Sequence, residues 1–120
     1  PMPSPREACA LAAAGGDLYV LGGSHSEQAL ATFECFSPDS GTWQALPTMP
    51  RARDAAAAAS ANRTVFLFGG RDAGEFLNSA EQYDPVSHRW QSLPPMPTAR
   101  LGCAAAAGGG CLYVVGGHGE

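Results

Sequence analysis

The sequence predicts an all-β fold in which one four-stranded antiparallel unit repeats along the chain. Two observations carry this: a repeat without gaps, and a fixed order of short strand signals inside each period. Gly-Gly pairs stand at Gly22-Gly23, Gly69-Gly70 and Gly116-Gly117, 47 residues apart each time. Met2-Pro3, Met49-Pro50 and Met96-Pro97 keep that spacing, as do Arg6, Arg53 and Arg100. Trp43 and Trp90, Glu34 and Glu81, and Pro38 and Pro85 share it. Agreement at so many positions marks a repeat architecture.

The second period shows the elements in order. Residues 53–60 are a run of small side chains, closed by a turn at Asn62-Arg63. Intrinsic propensity alone favours helix for Ala55–Ala59. The segment between turns is only about ten residues, however, which is marginal for a helix. The equivalent runs Ala8–Ala14 and Gly102–Ala107 carry glycine or mixed residues. A strand close to a crowded axis has room only for small side chains, so strand is expected here. Val65-Phe66-Leu67-Phe68 is a β-branched and aromatic run stopped by the glycine pair. A polar loop from Arg71 to Phe76 leads to a third segment, Ser79–Tyr83, closed by Asp84-Pro85. A fourth, His88–Leu93, carries Trp90 and ends at Pro94. Four short strands per period is the signature of a β-propeller blade. The expected organisation is blade 1 over 4–50, blade 2 over 51–97, and the first two strands of a third blade over 98–120. Such a segment is expected to be part of a larger, roughly six-bladed propeller.

Composition excludes several function classes. A net charge of −4 and the absence of any basic patch argue against nucleic acid and against an anionic membrane. Apolar runs such as Val65–Phe68 and Ala104–Ala107 are far too short to span a bilayer. No secretory leader is visible, and a chain opening on Pro1 reads as a segment of something longer. Cys9, Cys35, Cys103 and Cys111 form no CxxC pair and no zinc spacing. They read as small buried thiols, which favours a reducing compartment: the cytoplasm, with the nucleus as the alternative. Asn62-Arg63-Thr64 has the form of a glycosylation sequon but reads as a chance match in a turn.

The glycine pair, a polar loop, Leu77, Ser79, Glu81, Tyr83-Asp84-Pro85, Trp90, Leu93-Pro94, Met96-Pro97 and Arg100 together resemble the kelch repeat. The resemblance is particularly to the repeats of BTB-kelch (kelch-like) proteins, and it covers nearly the whole chain. The first repeat departs mildly, with Phe36-Ser37-Pro38 in place of Tyr-Asp-Pro and Cys35 in place of a polar residue. Most markers are expected to be structural: Gly22, Gly23, Gly69, Gly70, Gly116 and Gly117 for close backbone approach, and Trp43 and Trp90 as fillers between blades. Tyr83 and Phe36 are expected in the same layer.

Arg6, Arg53 and Arg100 admit two readings. A charge recurring beside small apolar residues requires a partner, and Glu34 and Glu81 recur at the same period. The resemblance implies the other reading, in which arginines here face the mouth of the central channel and meet acidic ligands. The loops after the glycine pairs supply further binding candidates: Ser24, His25 and Glu27 in one repeat, Arg71, Asp72 and Glu75 in the next. They differ between repeats while their flanks do not, as loops on a rigid frame do.

The function expected is protein recognition. The resemblance implies the substrate-recognition propeller of a cullin-type ubiquitin ligase adaptor, which would reach its cullin through a BTB domain not present in this chain. An actin-binding cytoskeletal protein is the alternative, and a kelch-fold enzyme such as a copper oxidase a weaker one. Against an enzyme, His25, His88 and His118 occupy different repeat positions, and no Ser-His-Asp set or phosphate-cradling loop appears. No catalytic residue, metal or cofactor is expected. Incomplete rings leave apolar faces and unpaired strand edges, so self-association through open propeller edges is a further expectation.

Overall fold

The computed structural model describes residues 9–26, 28–99, 104–108 and 111–115. The first blade is an antiparallel sheet of β1 (Ala10–Ala14), β2 (Asp17–Leu21), β5 (Phe33–Ser37) and β6 (Thr42–Ala45), in that spatial order. The second repeats it with β7 (Ala57–Ala61), β8 (Thr64–Phe68), β11 (Ala80–Asp84) and β12 (Arg89–Leu93). A third pair, β13 (Ala104–Gly108) and β14 (Cys111–Val115), is again antiparallel. The all-β expectation, with two four-stranded blades and the first two strands of a third, is what the structure shows.

Two details differ from the sequence reading. The polar loops are small ribbons: β3 (Ser24–His25) pairs with β4 (Gln28–Ala29), and β9 (Arg71–Asp72) with β10 (Glu75–Phe76). The tip of the second ribbon, Ala73-Gly74, takes positive φ at both residues (53° and 82°), the turn whose twist suits a two-residue hairpin. The run of small residues also becomes strand only from Ala57. Ala55 turns aside with φ 54°, because Arg53 and Asp54 use their backbone groups on neighbouring segments instead of on the blade's own ladder.

Packing between the blades explains the marker residues. Alternation along β8 sends Val65 and Leu67, both fully buried, toward the first blade's Tyr19, Leu21 and Phe33. Phe66 and Phe68 join the second blade's other cluster, with Ala57, Ala80 and Met96. Tyr83 meets Phe33 edge-on at 4.7 Å between ring centroids, and Trp90 lies 5.0 Å from Phe33 and 5.3 Å from Tyr83. The Trp90 indole N–H also donates to the Pro47 carbonyl at 3.3 Å, so this tryptophan ties blade 2 to blade 1. Aromatic pairs of this geometry contribute about 0.5–1.5 kcal/mol each beyond burial. Trp43 packs 5.1 Å from Phe36 within its own blade and stays half-buried. The inner strands β1, β7 and β13 lie side by side. Alanines permit that approach, and the Ser60 hydroxyl donates across it to the Ala13 carbonyl.

The glycine pair closes the seam. Gly22 has φ 62°, and a Cβ built there would stand 2.4 Å from the Arg53 carbonyl oxygen, so no other residue fits. The Gly23 N–H donates to that carbonyl at 2.9 Å, and the Arg53 N–H donates to the Leu30 carbonyl at 2.9 Å. One residue of blade 2 is thus held on both sides by the backbone of blade 1.

Candidate partner-binding face

The two ribbons project from the same end of the blades, with β4 beside β9. The second is anchored through backbone: the Asp54 N–H donates to the Arg71 carbonyl and the Arg71 N–H to the Asp54 carbonyl, both at 2.9 Å. Gly70 permits this approach, since a Cβ there would lie 2.7 Å from the Asp54 carbonyl oxygen.

Side-chain charges brace the ribbon from outside. Arg51 donates from Nε to Asp72 at 3.1 Å and from a terminal nitrogen to Glu75 at 2.5 Å, clamping both strands of the ribbon. Its hydrogen bonds to Glu75 and then to Asp72 push the Arg51 pKa above its ordinary value. Arg71 places Nε 3.3 Å from the Asp54 carboxylate, close enough for an ion pair. The two exposed pairs made by Arg51 contribute about 0–1 kcal/mol each; what they fix is the orientation of the ribbon. Here the face offers two cations, Arg51 and Arg71, against the carboxylates Asp54, Asp72 and Glu75.

The expected site residues separate into groups. Arg71, Asp72 and Glu75 stand together on β9 and β10. Ser24 is buried and His25 exposed on β3. Arg53 is 1% exposed and donates to both carboxylate oxygens of Glu81, at 2.8 and 2.5 Å, and to the Gly69 carbonyl at 3.0 Å. Of the two readings of the recurring arginines, the buried pair with glutamate is the one this geometry forms at Arg53. Arg6, Arg100, Glu27, Gly116 and Gly117 lie outside the described residues.

Arg51 was missed by sequence reasoning because its counterparts one period away are Ser4 and Thr98. A search for recurring residues finds the frame and passes over what one blade alone carries. The available signal was local: six charges of mixed sign between residues 51 and 75 (Arg51, Asp54, Arg63, Arg71, Asp72 and Glu75) beyond the recurring Arg53.

At the opposite end, Tyr83 and His88 share a hydrogen bond of 3.0 Å. Cys9 and Cys35 are free thiols, and burial pushes the Cys35 thiol pKa up, which makes it a poor nucleophile. Among the described residues no group of three His, Cys, Asp or Glu side chains is placed to hold a metal ion.

Repeated four-stranded blades, clasped through glycine pairs and carrying paired ribbons at one end, define a propeller segment of the kelch type. The profile of the KLHDC2/KLHL20/DRC7 Kelch-repeats domain matches residues 1–120. The chain belongs to the kelch-repeat family. It is also 38% identical over 48 residues to Kelch-like protein 25 of Mus musculus, a stretch covering 40% of this chain and 8% of that protein.

Proposed function

We propose that this chain is the target-recognition part of a larger kelch-repeat protein, binding a partner protein across the face formed by the β3–β4 and β9–β10 ribbons. The observation that carries this reading is the bracing of the second ribbon, at Arg71, Asp72 and Glu75, by Arg51 and the Asp54 backbone. A loop with no role has no need of such fixing, whereas a recognition surface gains affinity when its ordering cost is met in the free protein. By its resemblance to BTB-kelch proteins, the parent is an adaptor that presents the bound target to a cullin-type ubiquitin ligase, and it works in the cytoplasm.

Asp72→Arg with Glu75→Arg tests the face while leaving every buried residue in place. Proteins captured from a cell extract by the unaltered chain should be lost from the variant, with circular dichroism unchanged. Capture that survives the double substitution would move the site elsewhere. The ligase reading stands or falls separately: the intact parent protein should co-purify a cullin along with the target.

A further inference from the structure

A cavity of about 310 Å³ opens at the end of the seam opposite the ribbons. Blade 1 contributes Ala14, Gly15, Asp17 and Tyr19, and blade 2 contributes the turn Asn62-Arg63-Thr64 together with Asp84, Pro85 and Val86. The volume is at the lower end of ligand-sized sites and suits one or two side chains.

The turn on its lip breaks the rule of the repeat. Both residues at its tip take positive φ: Asn62 at 51° and Arg63 at 64°. The same turn in blade 1 is Gly15-Gly16, with φ of 60° and 86°, and the same positions one period later are Gly109-Gly110. Glycine adopts this backbone without strain, and arginine does not. A strained residue that the frame elsewhere replaces with glycine is retained for what its side chain does.

The remaining charges show what that is. Arg63 is exposed and makes no ion pair with any described residue. Asp84 accepts from the Val86 N–H at 2.9 Å, and this holds its carboxyl below the usual range, so the group is ionised at neutral pH. Asp17 stands beside Tyr19 and Cys35 on the other blade. The cavity therefore presents one unpaired cation and two carboxylates from opposite walls, with Val86 88% exposed at the margin.

We propose that this cavity is a second binding site, taking a partner peptide in which an acidic side chain meets Arg63 and a neighbouring basic one meets Asp17 and Asp84. Val86 and Pro85 supply an apolar edge for the residue between them. The pattern of both signs selects against a singly charged partner: a lone phosphate or carboxylate meets two carboxylates, and a lone amine meets the arginine. The site lies at the end of the seam away from the ribbon face and shares no lining residue with it.

The probe is acetyl-Glu-Val-Lys-amide, added to the isotope-labelled chain while amide shifts are followed by NMR. Shifts should centre on Asp17, Asn62, Arg63 and Val86. Arg63→Gly restores the residue of blade 1, so the unfolding midpoint should hold or rise while the peptide affinity falls by about tenfold or more, the value of a charge-assisted hydrogen bond. Asp84→Ser, again the blade 1 residue, should weaken the same peptide and leave acetyl-Glu-Val-Gln-amide, itself a weak binder, unaffected or improved. Shifts absent at several millimolar peptide, or unchanged by Arg63→Gly, would overturn the proposal. So would destabilisation by Arg63→Gly, since that would show the arginine to be kept for the fold.

Discussion

Arg53 and Glu81 form a charged pair where almost no water reaches, at 1% and 4% exposure. Removing one member leaves the other buried without its counterion, which costs about 3–5 kcal/mol. Arg53→Ala and Glu81→Ala are each expected to lose that much in urea unfolding. The double substitution should lose less than the sum, because it strands neither charge. Tyr19 gives a pH handle. Burial first, then the nearby Cys35 and Asp17, push its hydroxyl pKa from 10.0 up to about 12. Above pH 10 the unfolded chain releases this proton while the folded chain still holds it. Stability is therefore fully present below pH 10 and declines as the pH rises to about 12, by about 2–3 kcal/mol at 1.4 kcal/mol per pH unit. Tyr19→Phe should remove that share of the alkaline loss in a pH series of melting curves.

Among elements, the turns and ribbons separate conformational strain from steric contact. Gly15 and Gly22 share nearly the same φ, 60° and 62°. An added Cβ finds nothing within 4 Å at Gly15 but lies 2.4 Å from the Arg53 carbonyl at Gly22. Gly15→Ala should cost only the left-handed backbone term, about 1–2 kcal/mol. Gly22→Ala is expected to cost more and to weaken the contact between blades, visible as faster hydrogen exchange at Gly23 and Arg53. The strands were legible in sequence because alternation and turn residues are local: the Val65–Phe68 run and the stop at Gly69-Gly70 needed no tertiary information. The ribbons were not. Two residues per strand give no periodicity, and their stability comes from Asp54 and Arg51, many positions earlier. Arg53 was legible as a charge needing a partner, but its choice of Glu81 over a ligand depends on how β11 pairs with β8, which only the fold supplies.

For the whole molecule, the repeat's own symmetry shows what one surface lacks. Val65, Tyr83 and Trp90 of blade 2 pack on blade 1. One period earlier stand Leu18, Phe36 and Trp43, and Leu18 is 45% exposed while neighbouring Leu11 is 65% exposed. That face has the composition of a blade seam, no blade covers it among the described residues, and apolar surface of this kind drives association. Light scattering after size-exclusion chromatography should find the 120-residue chain associating, and Leu11→Glu with Leu18→Glu should shift it toward the single-chain mass. A monomeric unaltered chain would mean the face is tolerated in water.

The clasp on Arg53 also bears on how such proteins can be cut and recombined. The visible period starts at the Met-Pro turn, so a graft of residues 51–97 looks like a complete cassette. Yet the backbone of Arg53 is bonded to Gly23 and Leu30 of the blade before it, and Asp54 to its own blade's ribbon. Transplanting at the Met-Pro boundary would pair each Arg53-type segment with a foreign cradle. A junction just ahead of β7 carries the cradle and its occupant together, and residues 10–56 are the unit that can be exchanged without remaking that joint.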